Sequence, residues 1–103
     1  MANEYSLHIL PSAARQLAKL PRSAQRMVRD AIDALAHRPR PPGAKLLAGT
    51  GDERIWRIAV GDYRVLYQVV DERLVVLVIR VANRRDAYGR ALWQVLKQLR
   101  GSH

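Results

Sequence analysis

Three strand-like runs, 54–60 (RIWRIAV), 63–70 (YRVLYQVV) and 74–81 (LVVLVIRV), follow one another with only Gly61-Asp62 and Asp71-Glu72-Arg73 between them. Connectors of two and three residues cannot make the long crossover that parallel neighbours need. They close hairpins, so the three runs form an antiparallel meander. In the middle run Tyr63, Val65, Tyr67 and Val69 alternate with Arg64, Leu66, Gln68 and Val70. The tyrosines share a face suited to a core, and Arg64 opens the opposite face, where a valine or threonine would pair better. The third run is almost wholly apolar, as expected of a strand covered on both faces or central in a sheet, and Arg80 is its only charge.

Residues 5–10 (YSLHIL) alternate as a first strand. Ser12 is a candidate cap for a helix over 13–20, with Ala13, Leu17 and Leu20 on one face, and Pro21 stops it. Ser23 is the candidate cap of a second helix to about residue 36, with Ala24, Val28, Ala31, Ile32 and Leu35 as its buried stripe. So short a link makes the pair a tight αα-hairpin. Prolines keep 37–43 (HRPRPPG) out of any helix, and "AKLLAGTGDE" leads from it into the meander. A last amphipathic segment, 87–100, carries Leu92, Val95, Leu96 and Leu99 with Trp93, and Gly89 weakens its first turn. The expectation is an α+β fold in the order β-α-α-β-β-β-α. Two N-terminal helices pack on a small, mainly antiparallel four-stranded sheet, with a C-terminal helix, as one domain over 1–100. Gly101-Ser102-His103 reads as an appended remnant.

At 103 residues the chain supports one core. It has no uninterrupted apolar run of about 18 residues, no signal-peptide layout and no cysteine, so a cytoplasmic protein without membrane contact or disulfides is expected. Eighteen Lys+Arg against nine Asp+Glu leave a net charge of +9, and fifteen of the eighteen are arginine. The arginine fork suits bidentate phosphate contacts, so the charge points first to nucleic acid and second to an acidic protein. A GC-rich genome or a merely solvated surface would also give this composition. There is no P-loop, no metal-spaced cluster and no nucleophilic triad, so no metal or cofactor is expected.

The basic residues are not spread evenly through this plan. Arg57 lies within the first run, Arg64 opens the second, and Arg80, Arg84 and Arg85 end or follow the third, with Tyr88 close behind. If the third run pairs with the second, its exit lies beside the entrance of the second, which brings Arg84 and Tyr88 toward Arg64. Converging arginines can bind a phosphodiester and stabilise the extra charge of its transition state. They can equally form a solvated rim, or pair with Asp62, Asp71 and Asp86. His8 reads as a strand residue, His37 as solvated, and Trp56 and Trp93 as core.

Residues 56–88, "WRIAVGDYRVLYQVVDERLVVLVIRVANRRDAY", resemble the core of RelE-type toxins of bacterial type II toxin-antitoxin systems. Lys45-Leu46 followed by Gly49 and the element order agree, so the resemblance covers nearly the whole chain. G-x-Y-R-V-x-Y is shared with the related ParE-type toxins; its combination with R-R-x-x-Y is more specific. The resemblance implies a metal-independent endoribonuclease that cuts mRNA in the ribosomal A site, using the message's own 2′-hydroxyl on the adjacent phosphate. It implies Arg64 on the scissile phosphate, Arg84 near the leaving 5′-oxygen and Tyr88 on a base, with Arg57, Lys45, Arg80 and Arg85 as further phosphate contacts. It also implies a cognate antitoxin as partner, in a toxin-antitoxin hetero-oligomer.

Two positions depart from the family pattern. Ala59 stands where many members carry a lysine or arginine, and Asn83 where a histidine or lysine often precedes the arginine. No other residue offers an obvious general base, since arginine stays protonated. Two alternatives therefore stay open: a ParE-like inhibitor of DNA gyrase, or a toxin homologue with weakened catalysis.

Overall fold

The computed structural model describes residues 4–48 and 54–87. In chain order the elements are β1 (Ser6–Ile9), α1 (Pro11–Ala18), α2 (Arg22–Ala34), β2 (Lys45–Ala48), β3 (Ile55–Val60), β4 (Tyr63–Val70), a 3₁₀ turn (Asp71–Arg73) and β5 (Val75–Asn83). The meander forms as its turns require. Gly61 adopts φ 58°, the left-handed backbone that a two-residue hairpin loop needs, and sets Val60 opposite Tyr63. The second connection is a 3₁₀ turn that ends on Leu74 at φ 53° before β5 begins.

The sheet has five strands, in the order β1-β5-β4-β3-β2, rather than four. The extra strand, β2, lies in the segment expected to be a plain connector. It pairs antiparallel with β3 through Lys45↔Arg57 and Leu46↔Trp56, and a register shift follows Leu46. β1 runs parallel to β5, and the other pairs are antiparallel. β5 is thus flanked by β1 and β4, which explains its apolar sequence. The expected C-terminal helix over 87–100 lies outside the described residues.

Neither serine caps its helix. The N-caps are Leu10 and Pro21, without side-chain cap bonds. Pro11 at the first helical turn accounts for α1: it disfavours helical backbone at the residue before it, and its own fixed φ starts the helix one residue ahead of Ser12. The corner between the helices is closed instead by Gln25, whose Nε2 donates to the carbonyls of Ala18 and Leu20, both at 2.8 Å.

The helical hairpin covers one face of the sheet. Ala13, Leu17, Val28, Ile32 and Leu35 pack against Ile58, Val60, Val65, Tyr67, Val69, Val76, Val78 and Val81, all buried, with Trp56 and Tyr63 at the margin. Tyr67 is fully buried, and its hydroxyl donates to the Pro39 carbonyl at 2.6 Å, tying the proline-rich connector to the sheet. Nearby, Arg40 binds Asp71 through two hydrogen bonds of 3.2 and 2.7 Å and lies 5.3 Å from the Trp56 ring centroid, and Tyr5 donates to the same carboxylate at 2.7 Å. These bonds, Arg40 foremost, hold the Asp71 carboxyl below its usual pKa. Among the described residues the opposite face carries a smaller apolar cluster of Ile55, Leu66, Ile79 and Ala87.

Candidate nucleic-acid interface

The face away from the helices carries Lys45, Arg57, Arg64 and Arg80. Cross-strand partners share a face, so the register Lys45↔Arg57↔Leu66↔Arg80 draws one row across β2, β3, β4 and β5. The next row is Ala59↔Arg64↔Ala82. Arg57 and Arg80 are therefore diagonal neighbours of Arg64 on either side, within about 7–8 Å at their Cβ atoms.

Arg80 reaches this face through a β-bulge. Strand alternation alone would put it with Val76 and Val78 against the helices. The register slips between Leu66↔Arg80 and Tyr67↔Val78, leaving Ile79 as an extra residue and turning Arg80 to the other side. The Val81 amide is taken up by Gln16 Oε1 of α1 at 2.8 Å. The almost wholly apolar sequence of β5 gives no sign of this.

The end of β5 lands where the meander argument places it. Asn83 pairs with Tyr63, and the Arg84 amide donates to the Asp62 carbonyl at 2.8 Å. Asn83 has a structural role: its Oδ1 accepts from the Arg85 amide at 3.1 Å and its carbonyl from the Asp86 amide at 2.8 Å, which folds residues 84–86 into a turn. Arg84 and Arg85 are exposed on that turn. Tyr88 lies outside the described residues. His8 and His37 are exposed, and His37 Nδ1 lies 3.4 Å from Glu4.

Among the described residues none of Lys45, Arg57, Arg64, Arg80, Arg84 and Arg85 forms an ion pair. Asp71 is engaged by Arg40 instead. Arg64 folds back on its own hairpin and donates to the carbonyls of Gly61 at 3.1 Å and Tyr63 at 2.9 Å. Arg80 donates to the main-chain carbonyl of Asp86 at 2.7 Å, not to its carboxylate. Among the described residues the positive charge on this face is thus left uncompensated by carboxylates, as a surface for a polyanion requires. The described residues contain no group of His, Cys, Asp and Glu fit to hold a metal ion, and no described helix is long and apolar enough to cross a membrane.

Residues 7–88 match the family model of the ParE toxin of the type II toxin-antitoxin system parDE. The chain belongs to the RelE/ParE toxin superfamily, as a RelE-type member. Its relatives place it on the RelE side of that superfamily. It is 37% identical to Toxin RelG of Mycobacterium tuberculosis over 90 residues, covering 84% of this chain and 98% of RelG. The toxin in the archaeal RelE-RelB complex from Pyrococcus horikoshii superposes with a TM-score of 0.72 at 30% identity, covering 84% of this chain and all of that one. A chain of the toxin-antitoxin complex RelBE2 from M. tuberculosis gives 0.68 at 28% identity, covering 84% and 98%.

Proposed function

We propose that this RelE-type toxin is a metal-independent endoribonuclease that cuts mRNA at the ribosome and is neutralised by a cognate antitoxin. The observation that carries the reading is the placing of Arg57, Arg64 and the Arg84 turn at one end of the open sheet face, without carboxylate partners among the described residues.

The chemistry follows from what those groups can do. The 2′-oxygen of a splayed nucleotide attacks the adjacent phosphorus, the bond to the 5′-oxygen breaks, and the phosphate passes through a more negative pentacoordinate state. Arg64, free to swing from its two backbone acceptors, takes the scissile phosphate, and Arg57 and Lys45 in the next row hold flanking phosphates. Arg84 meets the charge growing on the leaving oxygen. Tyr88 stacks on a base, which single-stranded RNA allows. Among the described residues the rows of Arg57 and Arg64 hold no histidine or carboxylate, and His8 stands on this face only in the distant row of Leu77, so the arginines act by stabilising charge rather than by taking the proton. Ala59, exposed and directly opposite Arg64, leaves vacant the position from which a cation or base would act on the same phosphate.

The same face suits an antitoxin. An acidic or amphipathic segment that supplied carboxylates to these arginines would exclude RNA by occupying its contacts. The structures of related toxins in RelE-RelB and RelBE2 complexes support such a partner.

Purified protein added to a translation reaction should leave cut messages, and Arg64→Ala combined with Arg84→Ala should leave them intact. Intact messages with the wild-type protein would remove the reading. The match to the ParE model favours one competitor, a gyrase inhibitor; loss of gyrase supercoiling without RNA cleavage would establish it.

A further inference from the structure

Arg80 is out of place by every rule that governs its strand. The bulge at Ile79 puts its guanidinium on the open face, opposite Leu66. There its Nε is buried without any acceptor among the described residues. A methionine of similar length would avoid that desolvated donor altogether. What Arg80 gains is one hydrogen bond, 2.7 Å from its terminal nitrogen to the carbonyl of Asp86. Asp86 is exposed, so water could satisfy the same carbonyl. Stability does not account for the arginine; the location of its acceptor does.

Asp86 closes the turn that begins at Arg84. One end of that turn is fixed to the β3–β4 loop by the Arg84 amide on Asp62, and its middle is folded by Asn83. The Arg80 bond fixes the other end to the sheet. We propose that Arg80 is a positioning residue: by holding the Asp86 carbonyl it sets the 84–86 turn, and with it the place of Arg84 beside Arg64. It acts through Arg84 and makes no phosphate contact of its own. The inference rests on the nuclease reading for its consequence, but the holding of the turn is a separate physical claim.

The experiment uses the full chain with Arg80→Met and Arg80→Lys, each alone and with Arg84→Ala. Hydrogen exchange at the Arg84 and Asp86 amides should quicken by about tenfold or more in Arg80→Met, with the β4 amide of Val65 unchanged, and return toward wild type in Arg80→Lys. Unaltered exchange in Arg80→Met overturns the proposal whether or not the wild type cuts RNA. A wild type that cuts nothing refutes the nuclease reading and leaves exchange to decide the role of Arg80. In cleavage assays Arg80→Met should lower kcat by about tenfold to a hundredfold with KM within about twofold, the size expected of a misplaced catalytic group. That loss should vanish in the Arg84→Ala background. Additive losses, or a fall of about one in the salt slope of RNA binding, would show Arg80 touching phosphate itself and would also overturn it. Arg80→Met should melt no lower than wild type; if it does not fold, Arg80→Leu, which likewise removes the donor to the Asp86 carbonyl, carries the same comparison.

Discussion

The vacancy at Ala59 offers the most direct interrogation of the charged face. Ala59 is exposed and its cross-strand partner is Arg64, so Ala59→Lys adds an ammonium beside the guanidinium assigned to the scissile phosphate. Directly opposed Cβ atoms lie about 4.5–5.5 Å apart, close enough for both cations to share one phosphate. If the phosphate gains about one negative charge on reaching the transition state, a new cation about 4 Å away contributes about 1 kcal/mol at the dielectric of water and about 4 kcal/mol at that of a protein surface. Each 1.36 kcal/mol is about tenfold in rate, so single-turnover cleavage should rise by about fivefold to several hundredfold. Like charges opposed across strands oppose folding by about 0.2–1 kcal/mol. At about 4–8 °C per kcal/mol for a domain of this size, the variant should melt a few degrees lower. The assay is quenched cleavage of a message on stalled ribosomes, with toxin in excess, beside a melting curve. Tighter RNA binding with an unchanged cleavage rate would mean that the cation sees ground state and transition state alike, and would refute the placing of the scissile phosphate at Arg64.

Arg64→Ala should reduce cleavage by about a hundredfold or more while shifting the melting temperature little, since Arg64 binds only main-chain carbonyls of its own hairpin; a large fall in melting temperature would reassign it to the scaffold. Gly61→Ala should cost about 1–2 kcal/mol in a urea titration, because φ is 58° and the added Cβ would stand 3.1 Å from Met27 Cε. Met27→Ala should relieve only the contact and not the backbone strain, so full rescue by the double variant would contradict this account. Burial pushes the Tyr67 hydroxyl up to about 12. The unfolded chain ionises near the ordinary tyrosine value of 10.0 while the folded protein does not, so stability should fall as pH rises from 10 to 12. Tyr67→Phe should flatten that fall and lower stability at neutral pH by about 1 kcal/mol through the unpartnered Pro39 carbonyl; an unchanged pH slope would argue against the burial of this group.

Much of the scaffold is legible because short-range rules decide it. Turns of two and three residues force the meander, and apolar spacing identifies Val28, Ile32 and Leu35 as the face of α2 that meets it. β2 is a different kind of object. The five residues 44–48 between Pro41-Pro42-Gly43 and Gly49-Thr50-Gly51 carry too little pattern to announce a strand, and Leu46, at 48% exposure, shows no burial that a pattern could register. Its strand character comes from the edge of β3, a neighbour the local sequence does not contain. The serines mislead for the opposite reason. Ser12 and Ser23 are good caps in isolation, but Pro11 starts α1 one residue ahead of Ser12, and Pro21 takes the N-cap position of α2 two residues ahead of Ser23.

The candidate site divides in the same way. Arg64 and Arg57 follow from alternation and the Gly61-Asp62 turn, so their common face is written in the meander itself. Arg80 is not readable by that rule. Counting in twos along β5 from Val76 and Val78 assigns it to the helical core, and only the extra residue at Ile79 reverses the parity. The bulge leaves no local mark: its amide at Val81 is satisfied from α1, by Gln16, 65 positions away in the chain. Deleting Ile79 should therefore leave Arg80 directly after Val78 and still opposite Leu66 on the open face, now in a regular ladder. Such a chain should keep a cooperative urea transition, weakened by the loss of the buried Ile79 side chain, and should keep RNA cleavage. Loss of cleavage in a chain that still folds would show that the bulge does more than reverse the parity of the strand.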